Sequence, residues 1–118
     1  MKPFKQMFDN NGKYILDESY TEILKLDKML TEANIPHILN RMFDGWAIVY
    51  PSYDECMVAD VIQHYGSYGS NENLLEIMGL VDYEEAGDCV LGNLTAEEVF
   101  KRMSEHYAKY GNKGGVEQ

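Results

Sequence analysis

His37-Ile38-Leu39-Asn40-Arg41-Met42-Phe43 leads into Asp44-Gly45, and Trp46-Ala47-Ile48-Val49-Tyr50 follows before Pro51. Two runs rich in apolar and β-branched residues, joined by Asp-Gly, are the strongest hairpin signal in the chain. Asp44-Gly45 suits a two-residue type I′ turn, whose central residues both need positive φ. In that register Phe43 and Trp46 face each other across the strands, and Pro51 closes the second strand.

Working outward, helical spacing takes over on both flanks. Ile23, Leu26, Leu30 and Ala33, with Tyr20 and Leu24 beside them, predict a helix over about residues 18 to 33. Ser19 with Glu22 fits a capping box, and Asp17 is an alternative cap. Asn34 suits the left-handed C-terminal position, and Pro36 forbids continuation. Before this helix, Asn10-Asn11-Gly12 is a turn signal and Tyr14-Ile15-Leu16 a short extended lead-in. At the other end Thr95 and Glu98 form a second capping box. Ala96, Val99, Phe100, Met103, Tyr107 and Tyr110 supply an apolar stripe, and Gly111 stops the helix.

Between the hairpin and the last helix the reading is less direct. Val58, Val61, Ile62 and Tyr65 fit helical spacing, with Ser52 and Glu55 as a possible cap. The β-branched content and the preceding hairpin favour a third strand over residues 55 to 65. Residues 66 to 73 read as a loop, and Leu74-Leu75-Glu76-Ile77-Met78 as a fourth strand antiparallel to the third. From Val81 to Leu94 the chain is acidic and irregular, with one helical turn at Tyr83–Ala86 and a brief edge pairing at Cys89-Val90-Leu91. The expected architecture is α+β: a small antiparallel sheet of about four strands, covered on one face by an N-terminal and a C-terminal helix. Residues 1–111 make one such domain and 112–118 a disordered tail.

Charge is unevenly distributed along the chain. From Met42 to Phe100 there are 12 acids and no lysine or arginine, in a chain of net charge −10. That balance disfavours direct nucleic-acid binding and anionic membranes, and favours a protein partner with a basic surface. No apolar run approaches the roughly 18 residues of a membrane span, and the N-terminal segment has no signal-peptide core. Cys56 and Cys89 form no C-x-x-C pair; the simplest reading is two reduced, mostly buried thiols in a cytoplasmic protein.

Three sets of residues carry candidate chemistry. Asp60 and His64 share a face at i, i+4 spacing, and Glu76 on the next strand can join them, which is a set for a divalent metal or a small molecule. No H-E-x-x-H or comparable signature supports it, and the plainer alternative is a solvated polar sheet face. The acidic run Asp82, Glu84, Glu85 and Asp88 lacks EF-hand spacing and reads as a negative contact surface. Charge imitation of a DNA backbone is a sub-case of that reading. Tyr65 and Tyr68, in a Gly/Ser-rich loop, are contact residues rather than part of a phosphate loop, which normally supplies a lysine. Cys56 and Cys89 make nucleophiles only with His37, His64 or His106 as base, and nothing in the sequence links them; His106 reads as solvent-facing. Ser67 and Ser70 lack a G-x-S-x-G context. No cofactor motif is present. Spare apolar surface on the far side of the sheet leaves a homodimer open.

Asp44-Gly45-Trp46 through Tyr50-Pro51-Ser52, then Ser67-Tyr68-Gly69 with Leu74-Leu75-Glu76-Ile77-Met78-Gly79-Leu80, and finally Gly92-Asn93-Leu94-Thr95-Ala96-Glu97-Glu98-Val99-Phe100 resemble, in this order, a group of small proteins encoded in phages and prophages of low-GC Gram-positive bacteria. The resemblance covers about residues 35 to 107. That group has no assigned activity, so the resemblance implies an intracellular accessory protein and carries over no catalytic residue.

Overall fold

The computed structural model describes residues 6–53 and 57–111. Its elements are α1 (Glu22–Glu32), β1 (Ile38–Met42), β2 (Gly45–Tyr50), β3 (Ala59–Gln63), β4 (Leu75–Met78), β5 (Val90–Leu94) and α2 (Ala96–His106). The strands form one antiparallel sheet in sequence order, β1 to β5. The expected α+β architecture is correct, with five strands rather than about four. The brief edge pairing foreseen at Cys89–Leu91 extends to Leu94 and makes the fifth, with a register shift between Leu75 and Ile77. The strand reading of residues 55–65 holds over Ala59–Gln63.

Alternation decides which side of the sheet is covered. Ile48, Tyr50, Ala59, Val61, Leu75, Ile77 and Leu94 pack with Ile23, Leu26 and Leu30 of α1 and Ala96, Val99 and Met103 of α2 in one buried cluster. Both helices therefore lie on the same face. Leu24 and Ala33, expected near the apolar stripe, are exposed, because the stripe narrows to i, i+3, i+7.

The hairpin forms, in a different register from the one expected. Met42 pairs with Gly45 and Arg41 with Trp46, so the two loop residues are Phe43 and Asp44. Only Phe43 of the two has positive φ, at 54°, which excludes a type I′ turn. The reason lies in two fixed points. Asp44 is 0% exposed and accepts hydrogen bonds from Tyr65 N at 3.0 Å and from the Tyr20 hydroxyl at 3.3 Å. Gly45 has no room for a side chain: a Cβ would sit 1.8 Å from the Gln63 carbonyl oxygen. The glycine thus serves the approach of β3, not the turn dihedrals. Trp46 faces the Arg41 guanidinium, 5.6 Å from its ring, in place of Phe43.

Helix ends show one correct and one incorrect expectation. At α2, Thr95 Oγ1 accepts from Glu98 N and Glu98 Oε1 accepts from Thr95 N, the reciprocal box. At α1 the Ser19–Glu22 box does not form. Asp17 Oδ1 takes Ser19 N and the Ser19 hydroxyl, and Glu22 Oε2 reaches across to accept from Ala96 N at 2.7 Å. The first amides of α1 are satisfied from outside the helix instead. Asn73 Oδ1 accepts from Thr21 N, Glu22 N and Gln63 Nε2, and Gln63 Oε1 accepts from Ile23 N. The C-terminus closes as read: Asn34 has φ 58°, Ile35 N bonds Leu30 O and Asn34 N bonds Thr31 O, a Schellman arrangement.

The Asn10-Asn11-Gly12 turn is present and joins a bridge between Phe8 and Tyr14. Cys89 is exposed, contrary to the buried-thiol expectation, because it occupies a left-handed residue (φ 64°) in the connection before β5. Cys56, Asp54, Glu55 and the tail at 112–118 lie outside the described residues. Among the described residues no helix is long and apolar enough to cross a membrane.

Asn73 is the test of this cross-capping. Asn73→Ala removes three accepted bonds and places alanine at φ 59°, and is expected to lower stability by about 2–3 kcal/mol in urea unfolding. Asn73→Asp keeps the acceptor at the helix start and is expected to lose distinctly less. Equal losses in the two variants would show that the oxygen is not what holds α1.

Candidate functional site

The side of the sheet away from the helices is the surface left to explain. Its strand positions are Ile38, Asn40 and Met42; Gly45, Ala47 and Val49; Asp60 and Ile62, with His64 just past the end of β3; Glu76 and Met78; and Val90, by alternation and register. None of these is a lysine or arginine. Arg41, the single arginine or lysine within the five strands, has the opposite parity and stacks on Trp46. The face is therefore largely apolar, interrupted by the Asn40 carboxamide, two carboxylates and one imidazole.

Asp60, His64 and Glu76 do share this face, as their spacing implied. Ile62 pairs directly with Glu76, so Asp60 and Glu76 are diagonal neighbours on adjacent strands. Burial, and then the Glu76 charge, raises the Asp60 carboxyl above its ordinary value. His64 is turned away from metal-ligand geometry. Its Nδ1 accepts from Gly66 N at 3.0 Å, and its ring stands edge-on to Phe43 at 5.0 Å. Glu76 Oε1 accepts from Tyr68 N at 2.9 Å. Among the described residues no three His, Cys, Asp or Glu side chains are grouped to hold a metal ion.

Beyond His64 the face runs into a corner of rings. Phe8 lies tilted against Tyr14 at 4.6 Å, and Tyr14 meets Phe43 edge-on at 5.3 Å and stacks on Tyr65 at 6.2 Å. Phe43 meets Tyr65 at 5.8 Å. Phe43 and Tyr65 are 46% and 51% exposed. A bulky aromatic held at positive φ with its ring half-exposed is a strained and unusual residue, and such residues cluster at functional sites. Tyr65, read from the sequence as a contact residue, lies in this corner. Phe43 was not singled out, because its place here depends on the shifted turn. Tyr68, 63% exposed, borders the opposite end of the face; its Cβ fills the space above Gly92, where a side chain would clash at 2.3 Å.

The acidic loop behaves differently from its sequence reading. Asp82, Glu84, Glu85 and Asp88 all lie in the β4–β5 connection and are exposed. Glu85 is paired, with both carboxylate oxygens bonded by Arg102 at 2.9 and 2.6 Å. That guanidinium, helped by the Asp82 amide, holds its carboxyl down at about 2. Asp88 Oδ1 caps Val90 N. Glu97 pairs with Lys25, Glu98 is used in the α2 cap, and Asp44 is buried. The lysine-free middle of the sequence thus meets cations from both flanks once folded, with Arg102 on Glu85 and Lys25 on Glu97. A groove of about 540 Å³ beside Arg102, between residues 80–85 and α2, carries both signs of charge.

His106 also departs from expectation. It is half-buried, with Nδ1 2.7 Å from the Tyr50 hydroxyl. Burial pushes the Tyr50 phenol up to about 12. Ser67 is buried and bonded to the His64 backbone through both its donor and its acceptor, and Ser70 is buried. Neither serine is presented as a nucleophile.

No protein-family model, curated protein or solved structure matches the chain.

His64 gives this site a pH signature. Burial lowers its pKa from 6.5, against the opposing pull of the Asp44 and Glu76 charges. Above pH 6.5 both folded and unfolded rings are neutral. Below it the unfolded chain takes up the proton first, so stability falls as pH drops from 6.5 until the folded ring titrates too. The melting temperature is expected to decline over that window, and the decline to be smaller in His64→Gln. Superimposable wild-type and variant profiles would remove His64 from the account.

Proposed function

We propose that this chain is a non-catalytic protein-binding domain that docks a partner with a basic surface on the helix-free face of its sheet. The observation that carries the reading is the diagonal pair Asp60 and Glu76 on an apolar face whose strand positions include no lysine or arginine. Like charges on adjacent strands repel, more weakly on a diagonal than directly opposite. A cation from a partner relieves that repulsion and is paired in a partly desolvated setting, where it counts for more than at an open surface. The exposed rings of Phe43, Tyr65 and Tyr68 at the two ends of the face have the chemistry of interface anchors. An accessory role inside a phage-infected or lysogenic cell belongs to the same proposal and rests on the sequence resemblance alone.

The test separates binding from folding. Asp60→Asn with Glu76→Gln removes the repulsion, so the double variant is expected to melt at or above the wild-type temperature at pH 7. Immobilised wild type is expected to retain a basic protein from a host-like lysate at low salt. It should release that protein near 0.5 M salt, where the Debye length is roughly 4 Å. The double variant should retain none of it. If the double variant holds the same protein with the same salt elution, this face is not the contact surface.

A further inference from the structure

The two edges of the sheet are built differently. At β5 the backbone is irregular: Cys89 and Asn93 are left-handed, at φ 64° and 61°, and the pairing with β4 shifts register. Such an edge does not template another strand. β1 is regular over all five residues, with no glycine, proline or positive φ. Its outward groups follow from its neighbours. Tyr50 O accepts from Val58 N, so Trp46, Ile48 and Tyr50 aim their backbone groups at β3, and Ala47 and Val49 aim theirs at β1. Their partners Asn40 and Ile38 are engaged, which leaves the N–H and C=O of Leu39 and Arg41 pointing away from the sheet. Among the described residues no strand and no backbone hydrogen bond covers them.

Natural edge strands are commonly guarded by a charge. Here the one candidate, Arg41, is turned away. Its Nε donates to Gly45 O at 3.2 Å, its NH2 donates to Phe43 O at 3.2 Å, and the guanidinium lies over Trp46. At the Ile38 end the edge runs into a shallow hollow of about 490 Å³, lined by Thr31, Asn34, Ile35, Pro36, His37 and Tyr107. At the other end it meets the exposed Met42 and Phe43.

We propose that the outer edge of β1 receives an extended segment of a partner protein as a sixth strand. The segment pairs with the backbone of Leu39 and Arg41 and places a side chain in the hollow at Thr31–His37. Main-chain bonds supply the affinity and the hollow the selectivity, as in other strand-addition complexes. Net charge −10 sets the chemistry of the occupant. A second copy of this chain would bring two strongly negative bodies together, whereas a segment bearing lysine or arginine is attracted. The inference rests on the reading of the chain as a protein-binding domain, and it names the mode of contact.

The test uses the full chain, isotope-labelled, titrated with the acetylated and amidated peptide Lys-Val-Lys-Val-Lys-Val. Amide shifts and slowed hydrogen exchange are expected at Leu39 and Arg41. Arg41→Pro, which deletes an outward N–H and no β2 bond, is expected to weaken the peptide by about tenfold. The exchange readout on wild type stands whether or not that variant folds. The exchange readout at Leu39 and Arg41 needs no lysate partner and no change at Asp60 or Glu76, so failures of the two proposals are distinguishable. Unchanged exchange at Leu39 and Arg41 up to millimolar peptide overturns the inference. So does protection of those amides in the free protein at twice the 13.5 kDa chain mass, which would place a second copy on the edge.

Discussion

One side-chain oxygen joins most of this fold. Asn73 Oδ1 receives the first two amides of the α1 region and the Gln63 carboxamide, while Gln63 Oε1 receives the next amide of α1. A helix start with no partner for its amides is costly to bury, so the position of α1 is set by where Asn73 and Gln63 stand. Glu22, in the first turn of α1, passes the constraint on by accepting from the first amide of α2. The end of β3, the loop before β4 and both helix starts are thereby tied together. The result fixes both helices to one side of a five-stranded sheet and leaves the other side without a helix. Even there Ala47 and Val49 are only 4% and 3% exposed.

What could be read beforehand follows the range of the interactions. Elements fixed by local pattern were legible: the α2 capping box, the Schellman end at Asn34, the strand β4, and the choice of strand over helix for Ala59–Gln63. Features fixed by distant partners were not. Ser19–Glu22 has the spacing of a capping box, but Asn73 lies 52 residues from Thr21 and competes for the same amides. Asp44-Gly45 looks like a type I′ turn, but Asp44 is held by Tyr20 and Tyr65, and Gly45 by the Gln63 carbonyl, so the turn moves back by one residue. Of the candidate site, the shared face of Asp60, His64 and Glu76 came from spacing alone. The ring corner at Phe43 required the shifted turn and had no signal in the sequence.

The charge pattern shows the same lesson at larger scale. A stretch of 12 acids without a lysine or arginine suggests a negative patch. Folding wraps the two basic flanks, as helices, against that stretch, and Arg102, Lys25 and the α2 cap each take up one of its acids. Local charge segregation along a chain therefore says little about segregation in space when the flanks pack on the middle. What survives is a difference between layers. Cations ride on the helices, and the far face of the sheet has none at its strand positions. Asp60 and Glu76 matter because of where they are, not because they belong to an acidic run.

The unusual features of the molecule fall on one side of it. On the helix side the amides of both helix starts are bonded, and among the described residues one buried polar side-chain atom, Trp46 Nε1, is without a partner. On the other side, two like charges meet on a diagonal, a phenylalanine is held at positive φ with its ring half-exposed, and a regular edge strand is left unguarded. Each has a simple remedy within reach of single substitutions: an amide for one carboxylate, asparagine or glycine for Phe43, a lysine facing outward on β1. A fold that needed only to be stable would gain from any of them. They occur together within one continuous region from the β1 edge across to Tyr68, and that is why the proposed partner is placed there: binding can use groups that folding leaves unsatisfied.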